Sequence, residues 1–151
     1  MTVAGVARFE RLFREAAGLD IDKDDLKRLS DFLPRKLHDL LLRAEAQAQA
    51  NDRDVVQPWD LALTRGLQEG VQEFRKLEAD LDLDLEPILE GLAQYPPLDL
   101  ALATDTEEQL PLVLGGLTVV IAHTVKAIEP SLERPHSAQW QAGFRVIDAL
   151  L

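Results

Sequence analysis

Apolar residues recur every three or four positions over most of this chain, the spacing of one face of an α-helix. Phe9, Leu12, Phe13 and Ala16 predict a short helix over residues 6–17. A loop at residues 18–23 follows. Leu26, Leu29, Leu33, Leu37, Leu40, Leu41, Ala44 and Ala48 then mark a long helix from about Asp24 to Ala50. The ten residues Asn51 to Asp60 break this pattern with a β-prone pair, Val55-Val56, and a proline at 58. Proline suits a first helical position, where its missing N–H costs nothing, so a further helix is expected to open at Pro58 and to use Leu61, Leu63 and Leu67. In the second half the pattern predicts a first helix from Leu85 to Ala93, a long helix from Asp105 to about Ile128 and a last helix from Ala138 to Leu151. Pro34 and Pro111 fall inside the two long helices, where proline removes a backbone bond and crowds the preceding turn, so a kink or a split is expected at each.

Arg53 and Asp60 flank the valine pair seven residues apart. A turn at Pro58 brings the carboxylate back beside the guanidinium, and the two can form a bidentate, charge-assisted clamp across the loop. With this clamp inside it, the order short helix, loop, long helix, loop, helix over residues 6–75 resembles the histone fold of core and archaeal histones. Residues 85–151 read as a degenerate second copy, with residues 76–84 as the connection. On this alignment Trp59 corresponds to Trp140, Arg53 to Arg134 and Asp60 to Gln141, so the second clamp lacks its charge. Leu110-Pro111 echoes Leu33-Pro34. The resemblance implies an all-α fold in which two histone-fold halves pack as an intramolecular handshake pseudo-dimer, one compact domain spanning residues 1–151. It also implies that the second loop faces phosphate in DNA-binding members through Arg-Lys-Thr. Here that loop reads Arg53-Asp54-Val55, and the position of the groove-entering arginine in the first loop is Asp20. The histidine that helps histone dimers associate corresponds to Ala50.

Composition agrees with packed helices: 46% hydrophobic residues but only 5% aromatic. With no cysteine, disulfide scaffolds, thiolate metal sites and cysteine nucleophiles are excluded. Residues 1–20 carry Arg8, Glu10, Arg11, Arg14 and Glu15 among their charges and no apolar leader-like run, which points to a cytoplasmic protein. The uncharged run Leu110 to Val125 is 16 residues long, shorter than the roughly 20 that span a bilayer. It is expected to be a buried core helix rather than a membrane segment.

Charge changes the functional picture most. The net charge is −11. Residues 1–75 carry 12 Lys and Arg against 14 Asp and Glu, while residues 76–151 carry 4 against 13. A DNA wrapper needs a cationic face because phosphate neutralisation provides most of the affinity, so wrapping by this chain is disfavoured. The remaining candidate for nucleic acid or an acidic partner is a patch on the first half formed by Arg8, Arg11, Arg14, Lys23, Lys27 and Arg28, with Arg35 and Lys36 further along the long helix. The competing reading is a solvated face paired to Glu10, Glu15, Asp24 and Asp31.

Nothing in the sequence favours catalysis. His38, His123 and His136 lie in different elements without metal-ligand spacing, and His123, inside the apolar run, is read as a core histidine. The alternation Leu-Asp-Leu-Asp-Leu-Glu at residues 81–86 lacks the glycine and terminal glutamate of a calcium loop. Gly115-Gly116 lies within the predicted helix and is expected to admit another helix closely. No cofactor, metal or small-molecule substrate is expected. The sequence points to a non-enzymatic module that binds an unknown protein partner or itself. DNA association through the first-half patch is the alternative.

Overall fold

The computed structural model describes residues 1–151 and is mostly helical, with six α-helices and one two-stranded ribbon. Helix α1 (Val3–Ala17) begins where the Thr2 hydroxyl accepts the Gly5 N–H at 3.0 Å. It ends at Gly18, whose φ of 65° is the left-handed conformation that glycine adopts without strain. Helix α2 (Lys23–Ala50) starts in a reciprocal cap: Asp22 accepts the Asp25 N–H at 2.9 Å, and Asp25 accepts the Asp22 N–H at 3.1 Å. Strand β1 (Val55–Val56) follows, and then α3 (Arg65–Leu81). A short α4 (Glu86–Leu89) runs on as 3₁₀ helix over Glu90–Gln94 and leads to β2 (Ala101–Leu102). Helices α5 (Thr104–Ile128) and α6 (Ser137–Leu150) complete the chain.

The all-α expectation holds, and the long helices start within one residue of their expected positions. Three boundaries differ. Pro58 opens only a 3₁₀ turn, Pro58–Asp60, and α3 begins seven residues later, at Arg65. Asp60 is engaged by its neighbours in the loop, Leu61 turns to extended backbone, and the Thr64 hydroxyl makes the actual cap on the Leu67 N–H at 3.2 Å. Leu61 is still buried, but from the loop. The expected connection at residues 76–84 is mostly helix, because α3 continues to Leu81 and stops at Asp82, whose φ is 49°. Beyond it Leu83 and Leu85 are buried while Asp82 and Asp84 face water, so the alternating run is a short extended link pinned by leucines. The first helix of the second half is a single α-turn before it tightens to 3₁₀.

Pro34 and Pro111 each sit inside an unbroken helix, as the twelfth and eighth residues respectively. Neither splits its helix, and the two are one turn out of step. The Trp59 and Trp140 equivalence fails in environment: Trp59 is 72% exposed in the 3₁₀ turn, whereas Trp140 is wholly buried in the first turn of α6. Trp140 meets the edge of Phe13 at 5.9 Å, and Phe144 stacks on Phe32 at 4.1 Å, fastening α6 to α1 and α2.

Helix α5 lies at the centre and packs against each of the other five. It is the one helix long and apolar enough to cross a bilayer, yet more than half of that apolar stretch is buried within the fold. Its tightest neighbour is α3. A Cβ on Gly115 would lie 2.3 Å from Phe74, and one on Gly116 would lie 2.5 Å from the Val71 side chain and 3.0 Å from its backbone nitrogen. Gly70 on α3 approaches the Gly116 carbonyl just as closely, so the expected role of the glycine pair is met. His123 departs from expectation. It is on α5 but exposed at the edge of α1 and α3, with Nε2 facing the Ala16 carbonyl at 3.2 Å and Glu73 at 3.1 Å. Gly116→Ala, which backbone cannot yield to, is expected to lower stability by about 2 kcal/mol. Urea unfolding followed by circular dichroism measures this.

Candidate functional site

The two loop pairs at opposite ends of the fold are where the expected site residues gather. At one end, Arg53 reaches back from the end of α2. Its Nη1 donates to Asp60 Oδ2 at 2.6 Å and its Nη2 donates to Asp60 Oδ1, a bidentate pair. The Gln57 N–H adds a third bond to Asp60 Oδ2 at 2.8 Å. Asp60 is buried, and these donors, Arg53 foremost, hold its carboxyl below the ordinary carboxylate range. The Arg53 guanidinium also lies over the exposed Trp59 ring, 5.8 Å from its centre.

The clamp shapes the loop that carries β1, and β1 pairs in parallel with β2, Val55 opposite Ala101 and Val56 opposite Leu102. The ribbon is tied to α5 through the Val56 carbonyl, which accepts the Ala103 N–H at 2.9 Å and the buried Thr106 hydroxyl at 2.8 Å. It is tied to α2 through Glu45, whose carboxylate accepts the Leu100 N–H at 2.9 Å. Asp52, Asp54, Asp99 and Asp105 are exposed around it, and the one cation, Arg53, is committed to Asp60.

At the opposite end the loop after α1 meets the loop after α5, where the Asp20 N–H donates to the Glu133 carbonyl at 2.7 Å. Lys126 reaches the Leu132 carbonyl at 3.1 Å within the second of these loops. Arg134, the expected counterpart of Arg53, is exposed and makes no side-chain bond; its loop is held by backbone and lysine instead. At the start of α2 Asp25 is buried, and burial pushes its carboxyl up, opposed by the bond from the Asp22 N–H and reinforced by the Asp22 charge.

The candidate basic patch does not assemble into one free cationic surface. Arg8 turns to the Asp82 carbonyl at 3.1 Å. Arg11 pairs with Glu15 at 2.9 Å and Arg14 with Asp20 at 3.3 Å. Arg28 donates to the Ser137 hydroxyl on α6 at 2.9 Å. Only Lys23 and Lys27 are exposed without a partner, and Asp22 and Asp24 flank the first of them. Of the pairings expected within the helices, Arg11 with Glu15 forms. Asp24 and Asp31 take no part: Arg14 pairs with Asp20 in the loop just after α1, and Arg28 reaches Ser137 on α6.

Other links were not visible in the sequence. Arg35 and the buried Lys36 both engage Asp148 on α6, Arg35 at 2.8 Å, and Arg43 binds the C-terminal Leu151 carbonyl. No group of acidic and histidine side chains is arranged to hold a metal ion.

Replacing Asp60 with Asn keeps one acceptor oxygen but removes the charge and turns an amide NH2 toward the donors Arg53 and Gln57 N–H. Asp60→Asn is therefore expected to cost about 3 kcal/mol at neutral pH, read from urea midpoints. Because the Asp60 pKa is lowered on folding, its contribution is complete above the ordinary carboxylate value and is lost as pH falls through the folded value. The gap between wild type and Asp60→Asn should therefore close in acid. A gap that persisted unchanged would show that the pair does not carry this stability.

The fold recurs in solved structures. A crystal structure of a Thermus thermophilus protein is 49% identical, superposes with a TM-score of 0.89 and is matched over 97% of both chains. A crystal structure of an Aquifex aeolicus protein shares the fold at a TM-score of 0.82 and 22% identity, over 97% of this chain and 95% of that one. Two proteins of Aquifex aeolicus (strain VF5), both described as uncharacterized, are similar in sequence. One is 31% identical over 134 residues, 82% of this chain and 78% of its own length. The other is 27% identical over 122 residues, 81% and 70% respectively. A family model matches residues 9–148, and the chain belongs to that family, described as a domain of unknown function (DUF1931).

Proposed function

We propose that the chain is an intramolecular pseudo-dimer of histone folds that serves as a non-enzymatic protein-interaction module and does not wrap DNA. The handshake half of this reading is supported by the loop contacts. The second loop of residues 1–81 pairs with the first loop of the remainder through β1 and β2, and the Asp20 to Glu133 bond joins the reciprocal loops. The Arg53 and Asp60 clamp, at the spacing the histone resemblance implies, supports it further.

One observation carries the functional half: the loop ends that would meet phosphate present carboxylates. Asp52, Asp54, Asp99 and Asp105 surround one ribbon, and Asp20, Asp22 and Glu133 lie at the other end, where Arg14 and Arg28 are occupied, as Arg53 is at the first, and Arg134 is the one free arginine. A duplex laid on such ends meets like charge and releases few counterions. A compact acidic body with its carboxylates on the surface suits recognition of another protein.

The test is titration against a fluorescent duplex of roughly 60 base pairs from low to physiological salt, where low salt screens electrostatics least. No binding is expected at any salt. Binding with a steep salt slope, lost in Arg8→Ala, Arg11→Ala and Arg14→Ala together, would overturn the reading in favour of a nucleoid-associated protein.

A further inference from the structure

An apolar pocket of about 450 Å3 opens between α2 and the segment that links α4 to β2. His38 and Leu41 of α2 form one side, and Tyr95, Leu98, Leu100 and Leu102 form the other, with Leu110 of α5 beneath. Leu98, Leu100 and Leu102 all face the pocket across a bend at Asp99-Leu100, while Asp99 and Ala101 between them are exposed. The pocket is held open by fixed contacts. The His38 ring stacks on Tyr95 at 5.2 Å, and its Nε2 lies 2.9 Å from the Pro96 carbonyl, an acceptor, so Nε2 carries the proton. Glu45, one turn beyond Leu41 on α2, holds the Leu100 N–H. A binding surface preformed in this way loses little entropy on association.

The charge around the pocket is of one sign. Nine of its eleven lining residues come from residues 77–125, a stretch with ten Asp and Glu and no Lys or Arg at all. Asp99 sits between two lining leucines, and Glu107 lies one turn before Leu110 on α5; both are exposed. The α2 arginines before and after His38 are turned elsewhere: Arg35 is paired with Asp39 and Asp148, and Arg43 donates to the Leu151 carbonyl.

We propose that this pocket docks a cationic segment of a partner polypeptide, a leucine or aromatic side chain filling the pocket while flanking Lys or Arg residues meet Asp99 and Glu107. The inference rests on the interaction-module reading and names the partner class it leaves open. A second copy of this chain, net −11, brings like charge to the same face, and a nucleic acid does so more strongly. An uncharged small molecule would leave the carboxylates without a role.

The test is selection of a displayed library of random peptides, about 12 residues long, on the intact chain. A labelled consensus peptide is then titrated against wild type, Asp99→Lys and Leu98→Gln. Asp99 is exposed and its side chain forms no ion pair, so its reversal leaves the fold intact and tests charge alone. Enriched peptides are expected to be net positive around one leucine or aromatic position, and to bind either variant at least about tenfold more weakly. Enrichment without charge preference, equal binding to both variants, no enrichment, or a wild-type dimer that covers the pocket would each overturn the inference. The duplex titration reports separately on the underlying reading: a chain that ignores DNA and enriches no cationic peptide loses this inference alone.

Discussion

Over Leu110–Ala122 helix α5 is apolar on nearly every side and therefore needs cover from several directions. The remaining packing follows from meeting that need. Residues on either side of the chain's midpoint supply the cover: α1, α2 and α3 from before it, α4 and α6 from after. The closest of these contacts, with α3, depends on three glycines, because Gly70, Gly115 and Gly116 let two backbones meet where any Cβ would collide. Once α5 is enclosed, the loops at its ends are brought against those at the ends of α2. The clamp and the β1 and β2 ribbon then fix their register.

That dependence explains how polar and charged groups are placed. Buried carboxylates occur only where backbone or guanidinium donors await them, as at Asp60, Glu45 and the Asp25 cap. Most arginines of the first half are engaged by the fold, Arg8 by the α3 end, Arg28 and Arg35 by α6, and Arg43 by the Leu151 carbonyl, while Lys23 and Lys27 stay free. The surface left over is acidic, above all on residues 77–125. The same commitment of cations that closes the fold thus determines which partners its loop ends can accept.

The helices were legible because their apolar positions repeat at helical spacing, and the caps at Asp22 and Gly18 mark their limits. The clamp was legible because Arg53 and Asp60 are local, needing only one turn to meet. Features set by topology were not. The Arg35 to Asp148 pair joins residues over a hundred positions apart, and no spacing announces it. His123 sits in an uncharged run, but a run does not reveal the narrow strip of α5 left open between α1 and α3. Matching Trp59 to Trp140 treated one shared residue type as a register, whereas one stands in water and the other in the core. The pocket at His38 was hidden for the same reason as Asp148: its two sides meet only in the folded chain.

The central claim is that residues on both sides of the midpoint form one cooperative unit around α5. The most direct measurement is urea unfolding of a Trp59→Phe protein, with and without Asp60→Asn, followed by Trp140 emission and by far-ultraviolet circular dichroism. Trp140 lies in the last helix, far along the chain from the clamp. Coincident transitions are predicted, with breakage of the clamp lowering the Trp140 midpoint as much as the helical one. If Trp140 kept its midpoint while part of the helical signal melted early, the two parts would be folding separately, and the account would be wrong.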